Sequence, residues 1–122
     1  MSLKRCIILA AAAISWAFAG SSGEDLMTKH CTSCHMASNP TAEKVKHMVA
    51  PPMWGVARHL KKSLKSKEEY IDFVSRYIMN PSKERSLFNK EAIERFGLMP
   101  SMKGTISEDE AKKIAEYLYN TY

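Results

Sequence analysis

The residues with the most reactive chemistry lie together: positions 31–35 read Cys-Thr-Ser-Cys-His. Two thiols three residues apart sit on adjacent turns of a helix end, so both sulfurs can reach one edge of a flat ligand. Cys-x-x-Cys-His is the spacing that attaches a c-type haem. Each thiol adds to one vinyl group of the porphyrin, and Nε2 of the histidine that follows ligates the iron. Three other chemistries use the same residue types. A thioredoxin-like redox pair belongs to a β-α-β pattern, and no segment here alternates as a strand. A zinc site takes four ligands, so it needs a donor beyond Cys31, Cys34 and His35. His47 and His59 are available, but neither sits in a local metal motif. A structural disulfide between Cys31 and Cys34 has no use for the histidine. The pattern favours one covalently bound haem c, with His35 as an iron ligand.

The elements that must position these residues read as helices. Glu24 and Asp25 suit the positive end of a helix over 24–33, with Leu26, Met27 and His30 toward one side. The preceding Gly20-Ser21-Ser22-Gly23 reads as a loose polar segment. Asn39-Pro40 and Pro51-Pro52 mark turns within 36–65, where no helix is read. A helix begins near Ser66, which has capping-box spacing to Glu69. Tyr70, Phe73, Val74, Tyr77 and Ile78 form its apolar face, and Asn80-Pro81 stops it. A short helix over 90–96 has Asn89 as N-cap and Gly97 as its stop. The last helix starts at Ser107, paired with Glu110. Ile106 staples onto Ala111, and Ala111, Ile114, Ala115 and Leu118 make the buried stripe. The expected class is all-α, with long connections that need something to fill the centre.

The 122 residues divide at position 19. Lys4-Arg5, an apolar run from Cys6 to Ile14 and Ala17-Phe18-Ala19 are the three parts of a secretory signal peptide. The run is short of the ~20 residues that a membrane span needs. We therefore expect a cleaved leader over 1–19 and one domain over 20–122. Cleavage removes Cys6, Lys4 and Arg5 and no acidic residue, which lowers the formal net charge from +5 to +3. A mildly basic exported chain suits an acidic protein partner, and export argues against a nucleic-acid partner. A chain of this size buries a small core and benefits from a bound cofactor.

Downstream, Gly97-Leu98-Met99-Pro100 lies just before the final helix. With Cys31 to His35 at the other end, this order resembles the class I monohaem c-type cytochromes of mitochondria and bacteria. The resemblance covers most of 24–122, with 31–35 its most specific part. It implies a cytochrome c-like fold in which the haem motif closes the first helix and the C-terminal helix packs across it. It also implies that the methionine before the proline, Met99, is the second axial ligand. Met102 corresponds to a packing residue of the same loop. Residues 50–55, Ala-Pro-Pro-Met-Trp-Gly, resemble the family's Gly-Pro-x-Leu-x-Gly segment, whose proline carbonyl accepts a hydrogen bond from the proximal histidine. Counting back from Gly55 gives Pro51 that role. Ala50 and the additional Pro52 depart from the pattern, and a stiff turn around Trp54 is the competing reading.

The resemblance implies a periplasmic electron carrier rather than an enzyme: a soluble monomer, with no stable membrane insertion, that meets redox proteins through an acidic docking surface on the partner. The alternative is a haem c subunit permanently associated with a periplasmic oxidoreductase, such as a sulfur-compound-oxidising complex. The basic run of Arg58, His59, Lys61, Lys62, Lys65 and Lys67 reads as a solvated face that could also steer such a partner. Tyr70, Phe73, Tyr77, Ile114 and Leu118 read as core around the haem. Residues 80–96 read as a solvated, charged excursion with a short helix, in preference to a shield over one haem edge or a docking surface.

Overall fold

The computed structural model describes residues 20–122. The leader expected over 1–19 lies outside the described residues. Six helices follow in order: α1 (Gly23–His30), α2 (Ala42–Lys46), α3 (Met53–Ser63), α4 (Lys67–Met79), α5 (Lys90–Phe96) and α6 (Glu108–Thr121). Among the described residues there is no strand, only an isolated bridge between Lys103 and Ile106. The all-α expectation is met.

The α6 helix is the centre of the packing, and α1, α3 and α4 all lie against it. Its start is fixed by a complete capping box. Ser107 Oγ accepts from Glu110 N at 3.1 Å, and Glu110 Oε1 accepts from Ser107 N at 2.9 Å. Its apolar stripe of Ala111, Ile114, Ala115 and Leu118 is buried, as is Ile106 just before the cap. Leu26 and Met27 of α1, Met53, Ala57 and Leu60 of α3, and Tyr70 and Val74 of α4 complete the core. At the start of α4, Ser66 caps Glu69 N at 3.1 Å. Glu69 itself reaches one residue further back, to Lys65 N at 2.9 Å.

Two sequence expectations change. The segment read as a loose N-terminus is built into the fold. Ser22 caps α1 through Asp25 N at 3.1 Å, and Gly23 is the first helical residue. It sits so close to α6 that an added Cβ would lie 2.3 Å from Lys113 O and 2.7 Å from Tyr117 Cβ. The α1 helix ends at His30, and the haem-motif residues follow as a tight turn, with His35 N donating to Cys31 O at 2.9 Å. Residues 36–65, where no helix was read, hold both α2 and α3. The two prolines that mark a turn also start a helix. Pro52 is the N-cap of α3, where a missing N–H costs nothing. Trp54 therefore lies in the first turn of a helix and not at the tip of a stiff turn.

Candidate haem site

A cavity of about 360 Å³, within the range of cofactor sites (about 300–1,000 Å³), is enclosed by every helix except α2. Cys31, Cys34 and His35 line one side. Met99 and Met102 line it from the loop between α5 and α6. Val49, Pro51, Met53, Val56, Leu60, Phe73, Tyr77, Phe88, Ile93 and Phe96 supply much of the remaining, largely apolar wall. A second, more open groove of about 410 Å³ runs along α4, but none of these cysteine, histidine or methionine donors lines it.

The proximal side is fixed through backbone chemistry. His35 Nδ1 lies 2.7 Å from Pro51 O. A carbonyl can only accept, so Nδ1 holds the hydrogen and Nε2 keeps its lone pair for a metal. The Pro51 carbonyl is available because the helical bonds of α3 begin one residue later, where Pro52 O accepts from Gly55 N and Val56 N at 3.0 Å each. Both prolines hold φ near its fixed value, so this carbonyl has little freedom to turn away. A neighbouring bond from Met53 N to Met36 O, 2.8 Å long, binds the same two segments together.

Burial pushes the Cys31 thiol up to about 11. At ordinary pH the free sulfur there is held as the neutral thiol, which disfavours thiol redox chemistry. A neutral thioether suits it. The histidines considered as a fourth zinc ligand are elsewhere. His47 pairs with Glu43 at 2.8 Å on the exposed α2, and His59 Nε2 donates to Leu87 O at 2.8 Å. Among the described residues no group of three or more acidic, cysteine or histidine side chains is placed to hold a metal ion.

Met99 and Met102 share the cavity but differ in their anchoring. Met102 N donates to Ile78 O at 2.9 Å, Met102 O accepts from Thr105 N and Ile106 N, and its side chain packs against the core. Met99 does not pack against the core, and it follows Gly97, whose φ of +74° with an extended ψ suits glycine.

Sequence reasoning missed one part of the wall. Residues 80–96 are not a solvated excursion: Leu87, Phe88, Ala92, Ile93 and Phe96 all line the cavity. None of them belongs to the core or packs against it. A flat macrocycle in the cavity would give their apolar surface a partner. Tyr70 is core but lies outside the cavity lining, whereas Phe73, Tyr77, Ile114 and Leu118 reach it. The basic run is partly committed to the fold. Lys61 donates to Tyr122 O and covers the Tyr119 ring at 4.6 Å, and Lys67 pairs with Glu116 at 3.3 Å.

Residues 18–118 match the family model described as cytochrome c oxidase, cbb3-type, subunit III. The chain belongs to this family of c-type cytochromes. It is also 34% identical over 112 residues to an uncharacterised protein of Aquifex aeolicus (strain VF5), covering 82% of this chain and 73% of that protein. No solved structure matches it. A cytochrome c domain carries covalently bound haem c, and electron transfer with redox partners is its activity. The apolar cavity, the neutral Cys31 sulfur and the free Nε2 of His35 fit that group.

Proposed function

We propose that this cytochrome is a periplasmic carrier of single electrons. Cys31 and Cys34 hold the haem as thioethers, and His35 and Met99 are the axial ligands. The observation that carries the reading is the His35 Nδ1 to Pro51 O bond inside an apolar cavity shared with Met99. Bound haem supplies a one-electron Fe(III)/Fe(II) couple. The Pro51 carbonyl orients the imidazole and raises its basicity. The thioether of Met99, a soft neutral donor, favours the reduced state. The apolar wall excludes water. With His35 and Met99 both on the iron, the chain would leave no position for oxygen or peroxide chemistry, which suits a carrier. The leader over 1–19 directs export, and an acidic partner surface meets the basic chain.

A second reading is a haem subunit held permanently by an oxidoreductase. The family description favours it, because it names a subunit of an oxidase. No described helix is long and apolar enough to cross a membrane. Stable co-purification with a larger enzyme distinguishes subunit from shuttle.

The holoprotein tests the site. Its haem should resist acid–acetone extraction, and the ferric form should show a weak near-red band from sulfur on iron. Met99→Ala should remove the band and lower the reduction potential. Met102→Ala should keep the band and cost about 2 kcal/mol of stability. The opposite pattern would transfer the ligand role to Met102.

A further inference from the structure

Residues 80–101 leave the end of α4 and return to it. Met102 N donates to Ile78 O at 2.9 Å, and Ser101 Oγ donates to Met79 O at 2.5 Å, which closes the base of the excursion. Between these points the chain is held weakly from outside. Nothing from 80 to 101 belongs to the core or packs against it, and no helix packs extensively on α5. Its remaining hydrogen bonds are local, such as Ser86 N to Ser82 O at 3.1 Å and the Arg85 side chain to Asn80 O. Among the described residues, one polar contact ties 82–98 to a distant part of the chain. His59 Nε2, on α3, donates to Leu87 O at 2.8 Å. The same ring lies 4.5 Å from the ring of Phe88, tilted by 33°.

We propose that His59 is a latch: it holds the 80–98 strap closed and through it keeps Met99 over the haem. This rests on the reading of Met99 as the second axial ligand. His59 does not line the cavity, so it acts as a positioning residue. Leu87 and Phe88, which it grips, do line it. For the strap to lift, the imidazole must give up both the carbonyl and the ring. An exogenous ligand reaches the iron only when Met99 leaves, so the latch contributes to the resistance of the ferric protein to such ligands.

The test compares ferric wild-type holoprotein with His59→Phe, which keeps a ring against Phe88, and His59→Gln, which keeps an N–H donor of similar reach. Added imidazole is the probe, and loss of the near-red band is its readout. Amide hydrogen exchange is followed in parallel. One hydrogen bond of ordinary net strength corresponds to about two- to tenfold in an equilibrium constant. His59→Phe should bind imidazole tighter by that factor and exchange faster over 82–98, with α4 and α6 unchanged. His59→Gln should return both values toward wild type. Equal values in all three proteins, faster exchange throughout the molecule, or a Gln variant as open as the Phe variant would each overturn the latch. If the wild type lacks the near-red band, the Met99 reading fails. The exchange comparison over 82–98 then decides the latch alone, by the same criteria.

Discussion

His35 shows how one backbone carbonyl can fix a histidine tautomer. Pro51 presents an acceptor that no helix claims, the imidazole must donate Nδ1–H to it, and Nε2 is left as a lone pair. The opposite case is Tyr70. Its ring is fully buried and packs edge-on against Tyr119 at 5.1 Å, yet its hydroxyl has no hydrogen-bond partner among the described residues. An unsatisfied buried hydroxyl costs about 1–3 kcal/mol, so Tyr70→Phe should raise stability by about 1 kcal/mol in denaturant titrations. It should also change the alkaline limb. Burial pushes the Tyr70 phenol up to about 12 from an ordinary value of 10. The unfolded chain therefore releases this proton first, and stability is lost as pH rises from about 10 to 12. The stability of Tyr70→Phe should fall less steeply than that of wild type across that window. Parallel curves would mean that Tyr70 does not titrate on unfolding.

At the scale of elements, the crossing of α1 over α6 depends on the absence of one side chain. Gly23→Ala adds a Cβ that meets Lys113 O and Tyr117 Cβ well inside contact distance. The neighbours are backbone and a Cβ, which cannot swing aside. Overpacking of this kind costs about 1–3 kcal/mol. The better helix propensity of alanine offsets about 1 kcal/mol at most. The denaturation midpoint should therefore fall, and a rise would show that α1 can shift freely on α6. Nothing in Gly20-Ser21-Ser22-Gly23 announces this contact, because a close approach is a property of the partner helix. The same limit explains the other elements that the sequence hid. The helices over 67–79, 90–96 and 108–121 were legible from cap residues and regular apolar spacing. The α3 helix was not, because its buried positions are Met53, Ala57 and Leu60, with Gly55 between them and two prolines ahead. Spacings of four and three after a proline were the available signal. In 80–96 the charges at Lys83, Glu84, Arg85, Lys90, Glu91, Glu94 and Arg95 hid the stripe of Phe88, Ala92, Ile93 and Phe96. Those residues line the cavity and do not pack against the core, so pattern alone reads them as unpartnered. Of the candidate site, the clustering of Cys31, Cys34 and His35 on one cavity wall was legible, because the three lie within five residues of one motif.

For the whole molecule, the charged surface differs from the basic run as a string of letters. Lys61 and Lys67 are engaged within the fold, while Arg58, Lys62 and Lys65 remain exposed. Docking to a redox partner through this face should therefore depend on these three. Electron-transfer rates should fall as salt rises, because exposed charges are screened beyond about 8–10 Å at ordinary ionic strength. Lys62→Glu with Lys65→Glu should slow the reaction at low salt and matter little at high salt. Stopped-flow rates that ignore both changes would remove this face from the encounter.

The strap has a consequence for the life of the chain before it functions. The cysteines proposed to capture the haem precede the segment that lines the far side of the cavity, and among the described residues that segment does not pack against the core. Leu87, Phe88, Ile93 and Phe96 thus sit on a tether that, among the described residues, is pinned at its base and at His59. Haem c bound in the cavity would give those side chains a partner, so limited proteolysis should cut within 80–98 more readily in unloaded than in loaded protein.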